Sequence, residues 1–270
     1  IHSVAGLLGP GAGLVEERPL RAPHHSCSGA ALIGGGSIPR PGELALAHHG
    51  VLFLDELSEF RSGVLDLLRQ PLEEGEIWIH RCRQRSRFPC AITLVGASNP
   101  CACGWYGDPE RECRCSEGER RRYWGRLSGP LLDRIDLQVV MRRPQASALA
   151  APYRSGSSSP SASPAATPEA SAPVAERVAA AHRRMTSRNP GGVGNARLCG
   201  AALQQVLGLE PSALELWELA LGQRRLTARA GERLLRVART ISDLDHRAGV
   251  SAAAVAEALT YRSFDSLGQD

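Results

Sequence analysis

The chain of 270 residues contains no lysine; all 32 of its basic side chains are arginine. That absence excludes a phosphate-binding loop of the G-x-x-x-x-G-K-[ST] type, whose lysine reaches the β- and γ-phosphates. Residues 1–17 are rich in glycine, with Gly6, Gly9, Gly11 and Gly13. Without a lysine they read as a flexible loop. No apolar run approaches the length of a membrane span, which excludes a transmembrane helix. A large net charge is also missing. The balance is only +4, so any nucleic-acid surface must be a local patch. No internal repeat and no secretory signal are visible, and the sequence predicts a cytoplasmic protein. Its eight cysteines therefore read as thiols or metal ligands before disulfides. The chain starts with Ile1, which predicts a piece of something longer.

Among the features present, the stretch Gly50-Val51-Leu52-Phe53-Leu54-Asp55-Glu56-Leu57 organises the rest. An unbroken apolar run after a turn signal reads as a buried parallel strand. Paired acids at its C-terminal end sit where open α/β sheets bind ligands. This is a Walker B pattern. Asp55 would hold Mg²⁺ and Glu56 would polarise the water that attacks a γ-phosphate. The plain alternative is a core strand ending in two solvated acids. Ala91 to Asn99 reads as a second buried strand with a polar end, and Asn99 at its C-terminal edge is in reach of the same nucleotide.

Around these strands, Arg18 to Ser26 is extended by its two prolines, and His24 and His25 read as structural. Residues 34–42 form a loop by composition. A short helix, Glu43 to Ala47, leads into the Walker B strand. A helix over Glu59 to Leu72 follows from Val64, Leu65, Leu68 and Leu72 at helical spacing. Ser128 caps a short helix running to Arg134, which could then project outward. Ile135, Leu137, Val139 and Met141 alternate as another strand. Thr227 and Ser251 read as N-caps of two helices near the C-terminus, and Arg229 falls in the first turn of the former. A cation is disfavoured there unless it serves an anion at the same N-terminus.

Glu76 to Pro89 reads as a hairpin. Arg81, Arg83, Arg85 and Arg87 alternate along it, with no acid between Ile77 and Cys90. A turn near Arg83–Ser86 would crowd these charges at a tip. Four unpaired guanidinium groups suit DNA phosphate contact; the alternative is a solvated tip. Cys101-Ala102-Cys103 and Cys113-Arg114-Cys115 flank nine turn-rich residues. Two thiol pairs can close a tetrahedral Zn²⁺ site, although C-x-C is tighter than the usual C-x₂₋₄-C spacing. A loop with so little core of its own would take its order from the metal.

The motifs Arg21-Ala22-Pro23-His24-His25, Pro41-Gly42-Glu43, Gly50 to Leu57, Leu68-Arg69-Gln70-Pro71-Leu72-Glu73, Ser98-Asn99-Pro100-Cys101 and Leu131-Leu132-Asp133-Arg134-Ile135-Asp136 come in order. Together they closely resemble the YifB/ComM family of magnesium-chelatase-like AAA+ ATPases. The resemblance implies a P-loop NTPase-type parallel sheet in residues 1–144 and a helical lid over 174–270, and it covers nearly all of the chain except residues 145–173, which read by their Ser, Pro and Ala content as a disordered linker. It implies ATP and Mg²⁺ as cofactors, Asp55 and Glu56 as Walker B and Asn99 as sensor 1. Arg134 would be the arginine finger reaching a neighbour's ATP, and Arg229 the sensor 2 of the lid. The 34–42 loop and the 77–89 hairpin would line the pore of a homo-hexamer. ComM-like members are hexameric helicases that promote branch migration of incoming DNA in natural transformation. The family's Walker A strand and loop and its Lon-like domain would lie upstream of Ile1. The chain as given is therefore expected to be a C-terminal fragment that cannot hydrolyse ATP. Two other readings are a magnesium-chelatase motor subunit and a non-enzymatic remnant that binds DNA or zinc. The cysteine pairs and the arginine hairpin have no evident task in the former.

Overall fold

The computed structural model describes residues 1–36, 38–81, 84–144, 146–150 and 169–262. Most of the 145–173 stretch read as a linker, and Arg83 of the hairpin, lie outside the described residues. The chain forms two compact units, Ile1–Ile135 and a second beginning at Asp136. The first carries β1 (Leu20–Arg21), α1 (Gly29–Ile33), β2 (Gly34–Gly35), β3 (Arg40–Pro41), α2 (Glu43–Leu46), β4 (Val51–Leu54), α3 (Ser62–Asp66), α4 (Arg69–Glu74), β5 (Glu76–Arg81), β6 (Gln84–Pro89), β7 (Thr93–Gly96), α5 (Glu117–Trp124) and α6 (Gly129–Leu132). The second is helical: α7 (Ala146–Ala150), α8 (Ser171–Arg188), α9 (Gly200–Leu207), α10 (Pro211–Gln223), α11 (Ala228–Leu244) and α12 (Ala252–Thr260). A parallel α/β sheet followed by a helical lid is what the sequence predicts. No helix among the described residues is long and apolar enough to cross a membrane.

The sheet runs β1-β4-β7, all parallel. Leu52 and Leu54 of β4 are fully buried, and they pack with Leu32, Leu44, Phe60, Leu65 and Leu68 in one apolar cluster. Gly50 is required at the start of β4. A Cβ there would lie 1.9 Å from the carbonyl oxygen of Pro19, the same oxygen that accepts the Val51 amide at 2.8 Å. Cys90 belongs to this core. Burial pushes its thiol up to about 12, and its Sγ donates to the Leu44 carbonyl at 3.5 Å.

Five local expectations change. The second strand, read as buried over Ala91 to Asn99, is β7 at the end of the sheet, and Thr93, Val95 and Gly96 are exposed because it has a strand neighbour on one side only among the described residues. The helix expected over Glu59 to Leu72 is broken into α3 and α4. Pro71 lies in the first turn of α4, where no backbone donor is needed; one turn further into a continuous helix its ring would clash with the carbonyl of Leu67. The 34–42 loop contains a two-stranded pairing, Gly34↔Pro41 and Gly35↔Arg40. Ser128 occupies the N-cap of α6 but makes no side-chain cap bond; its hydroxyl donates to Asp66 Oδ1 at 2.9 Å instead. Residues 135–141 form no strand. Alternation supplies a face but not a partner: Leu137, Val139, Val140 and Met141 are exposed.

The lid is held by α11. Thr227 caps it by accepting the Ala230 amide at 3.1 Å, and Ser251 caps α12 in the same way. Its buried face carries Leu234, Ala238 and Ile241, but also Arg239 and Asp243, both fully buried. Asp243 Oδ1 accepts from Arg239 Nη2 at 3.0 Å and from Arg188 Nη1 of α8; Oδ2 accepts from Asn195 Nδ2 at 2.9 Å and Arg188 Nη2 at 3.0 Å. Arg239 also donates to the carbonyls of Arg247 at 2.7 Å and Ala248 at 2.6 Å. Burial alone would raise the Asp243 carboxyl. The bonds from Arg188 and Asn195 and the two guanidinium charges outweigh it and hold the group below its usual value.

A depressed carboxylate contributes stability that is present above its unfolded pKa, about 3.9, and is lost as the pH falls through the folded value. Asp243→Asn should cost the lid about 3–5 kcal/mol at neutral pH, because it leaves Arg239 buried without its counter-charge. Denaturant unfolding followed by far-ultraviolet circular dichroism measures this. The gap between wild type and variant should narrow as the pH drops below about 4.

Candidate functional site

The C-terminal ends of the parallel strands collect the polar residues. Asp55 and Glu56 leave β4, and Asn99 follows β7; all three are exposed. The two loops are tied together. Ala97 N donates to the Leu54 carbonyl at 3.0 Å, Leu57 N to the Ala97 carbonyl at 2.7 Å, and the hydroxyls of Ser58 and Ser98 lie 2.5 Å apart. Asp55 Oδ1 accepts the Glu56 amide at 2.9 Å. Glu56 itself adopts φ 50°, ψ 46°, a left-handed conformation that costs a non-glycine residue about 1–2 kcal/mol. The turn therefore aims the second carboxylate at a strained position.

The sequence reading of His24 and His25 as structural missed where β1 would take them. Leu20 pairs with Val51 and Arg21 with Leu52, so the chain leaving β1 runs past the end of β4. His25 Nδ1 lies 2.9 Å from Glu56 Oε2. Its ring sits against His24 at 4.0 Å between centroids and meets Phe60 edge-on at 6.4 Å. The remaining ring, His24, is held through Nδ1 by Ser26 Oγ at 2.8 Å. The local signal was absent, because the contact depends on strand order rather than on spacing.

Arg134 does not project outward. It follows α6 and turns back onto α4, with its side chain only 10% exposed. Nη2 donates to Glu73 Oε2 at 2.5 Å, Nε to the Arg69 carbonyl at 2.9 Å and Nη1 to the Pro130 carbonyl at 2.6 Å. Arg229 lies in the lid, exposed in the first turn of α11.

The hairpin pairs Trp78 with Arg87, His80 with Arg85 and Arg81 with Gln84. The chain therefore reverses between Arg81 and Gln84, earlier than a turn at Arg83–Ser86. Arg81 is placed by its backbone; its side chain lies outside the described residues. Arg85 and Arg87 are not unpaired. Arg85 stacks 3.9 Å above the Trp78 ring. Arg87 Nε lies 2.7 Å from Glu76 Oε2, and Glu76 Oε1 accepts from Trp78 Nε1 at 2.7 Å. Glu76 lies just outside the acid-free stretch, and antiparallel pairing brings it onto the arginine face.

The four sulfurs of Cys101, Cys103, Cys113 and Cys115 lie within 4.8 Å of one another. The closest separations are 3.3 Å for Cys101 to Cys103, and 3.6 Å from Cys113 to each of them. Four thiolates about 2.3 Å from a tetrahedral Zn²⁺ stand about 3.7 Å apart, so the set fits that ion despite its tight C-x-C spacing. The loop between the pairs is shaped by Gly104 and Gly107 at φ 81° and 82°. Asp108 Oδ1 adds two bonds, accepting the amides of Glu110 and Arg111 at 2.8 and 3.0 Å. A capping box at Ser116 and Glu119 starts α5 directly after Cys115. Arg120 of that helix donates to the Cys115 carbonyl at 2.6 Å, and Trp124 Nε1 to the Pro100 carbonyl at 3.0 Å. The helix thus grips both ends of the cysteine loop. The Cys103 thiol is drawn down to about 6, first by the Trp105 backbone bond and then by the Arg114 backbone and neighbouring thiols.

Residues 1–149 match the family model for magnesium chelatase, subunit ChlI, and residues 168–262 match the model for the C-terminal part of that subunit. The uncharacterized protein YifB of Salmonella typhimurium is 40% identical over 252 residues, 93% of this chain and 47% of YifB. Competence protein ComM of Haemophilus influenzae is 42% identical over 255 residues, 94% of this chain and 47% of ComM. The 38 kDa subunit of magnesium chelatase from Cereibacter sphaeroides is 32% identical over 115 residues, 43% of this chain and 28% of that subunit. The chain spans about half the length of the YifB and ComM relatives it matches.

Proposed function

The chain belongs to the magnesium-chelatase-like AAA+ family that includes YifB and ComM, and from that premise we propose that it is part of a hexameric ATP-dependent branch-migration motor serving natural transformation and recombination, and that the 270 residues alone, with no lysine for a phosphate-binding loop, do not hydrolyse ATP. The observation that carries this reading is the pair of loops after β4 and β7. They bring Asp55, Glu56 and Asn99 to one end of adjacent parallel strands and lock there through Ser58 and Ser98. Bound MgATP supplies the phosphoanhydride that is cleaved. Asp55 would hold the Mg²⁺, Glu56 would orient and deprotonate the attacking water, and Asn99 would lie in reach of the same nucleotide as sensor 1. His25 fixes where the Glu56 carboxylate rests. Arg134 would stabilise the charge on a neighbouring subunit's phosphate, and Arg229 would act as sensor 2. The similarity to ComM, a competence protein, supports DNA as the substrate over a porphyrin. The stacked Arg85 and Trp78 of the hairpin support the same choice.

The cysteine cluster holds a structural Zn²⁺ in this reading. Its four sulfurs already stand at the spacing the ion needs, and the metal orders a loop that has only Cys101 in the core. Protein grown in metal-replete medium and purified without chelators should carry one zinc per chain by elemental analysis. Less than a tenth of an equivalent would remove the metal from the proposal.

The chemistry is tested in a protein extended to the length of the YifB and ComM relatives. Glu56→Gln should bind ATP but not hydrolyse it. Arg134→Ala should lose at least about 10³ in rate. Because the finger acts across subunits, mixtures of the two variants should recover part of the ATPase activity. Recovery at no mixing ratio would show that Arg134 does not act in trans.

DNA binding is tested by changing Arg81, Arg83, Arg85 and Arg87 together to Ala. Affinity should weaken, and the slope of log affinity against log salt should flatten by about 0.9 for each phosphate of duplex DNA that is no longer neutralised. Arg87, already paired with Glu76, should contribute least. An unchanged slope would make the hairpin a solvated face.

A further inference from the structure

The side chain proposed to act on a neighbour's phosphate is fully engaged within its own subunit. Every nitrogen of Arg134 donates inside the first unit, to Glu73, to the Arg69 carbonyl and to the Pro130 carbonyl, and the side chain is 10% exposed. Two of these acceptors are neutral carbonyls at the ends of α4 and α6. The third, Glu73, brings a formal charge and is itself 38% exposed. A guanidinium receives a carboxylate and a phosphate through the same planar fork of N–H groups. The Glu73 carboxylate and a phosphate oxygen therefore compete for Nη2.

We propose that Glu73 is a positioning residue that docks Arg134 in the isolated subunit, and that the finger is released only when an anion presented by an adjacent subunit displaces it. The proposal rests on the reading of Arg134 as a trans-acting finger. The geometry makes the exchange feasible. Glu73 is 38% exposed, and water can solvate the carboxylate once it is left. The two carbonyls hold the guanidinium in place but supply no charge to compete with phosphate. Exposed ion pairs contribute up to about 1 kcal/mol, and this pair, with Arg134 only 10% exposed, is better shielded than those, so loss of the Glu73 charge should shift the docked-to-released ratio about fivefold or more. A ligand moves such an equilibrium only by its preference for one state, and here the preference comes from the exchange of one anion for another. The device would keep unassembled subunits from presenting a bare guanidinium to any polyanion.

The docking can be measured in the 270-residue chain with no nucleotide. Phenylglyoxal modifies accessible guanidinium groups, and peptide mass mapping reports the rate at each arginine. Arg134 should react slowly in wild type and about fivefold or more faster in Glu73→Gln. Glu74→Gln, which removes a charge from the same helix but no contact to Arg134, should leave that rate unchanged. Near-ultraviolet circular dichroism matching wild type certifies the fold. Should Glu73→Gln lose that signal, Glu73→Asp, with its shorter arm, should give an intermediate rate. Equal Arg134 reactivity in wild type and folded Glu73 variants would overturn the proposal. In the extended protein, Glu73→Gln should lower the subunit concentration needed for half-maximal ATPase by a similar factor while leaving the plateau unchanged. Faster modification without that shift would overturn the gating role. An ATPase indifferent to Arg134→Ala would overturn the finger reading itself, whatever the modification rates show.

Discussion

β4 is hydrogen-bonded to β1 on one side and β7 on the other, both in parallel, and the polar end of the first unit depends on that arrangement. Parallel strands end on the same edge, so residues far apart in sequence leave the sheet side by side. Asp55 and Glu56 come from one strand, Asn99 follows the next, and His25 arrives from beyond the third. The approach that permits this is close enough at Gly50 to forbid any side chain. Apolar packing beneath, from Leu52, Leu54 and Phe60, keeps the strands in register. The core thus decides where the carboxylates stand, although it touches none of them.

Order is maintained differently elsewhere. The cysteine loop has little apolar material and relies on positive-φ glycines, an Asp108 turn and the grip of α5 at both ends. The lid has an apolar cluster of its own, yet places Arg239 and Asp243 in the middle of it. Burying charge carries a desolvation cost of several kcal/mol per ion, offset here by Arg188, Asn195 and the three backbone carbonyls of Leu207, Arg247 and Ala248 that complete the set. Such a network tolerates one relative placement of α8 and α11 and few others. Apolar residues of the same size would allow more slippage.

What the sequence disclosed was mostly what neighbouring residues decide among themselves. The buried run ending in Asp55 and Glu56, the caps at Thr227 and Ser251, the hairpin and the cysteine pairs are all local patterns, and each element is found where the pattern lies. What it hid depends on partners brought from a distance. Alternation over 135–141 suggested a strand, but a strand exists only beside another. Arg134 looked free because Glu73 is 61 positions away. Arg87 looked unpaired because hairpin register, not spacing, delivers Glu76. His25 carried no mark of its contact with Glu56. Apolar spacing over Glu59 to Leu72 marks a helical face but not the break between α3 and α4 that places Pro71 in a first turn.

The left-handed backbone at Glu56 makes the first unit less stable at the residue whose carboxylate is proposed to activate the attacking water. Glycine or asparagine would sit there with less strain. Selection for thermal resistance alone should therefore reach that codon early and enrich replacements that relax the turn while deleting the carboxylate. An engineer who hardens this scaffold by stability screening would, unless activity is screened alongside, converge on folded and inert molecules.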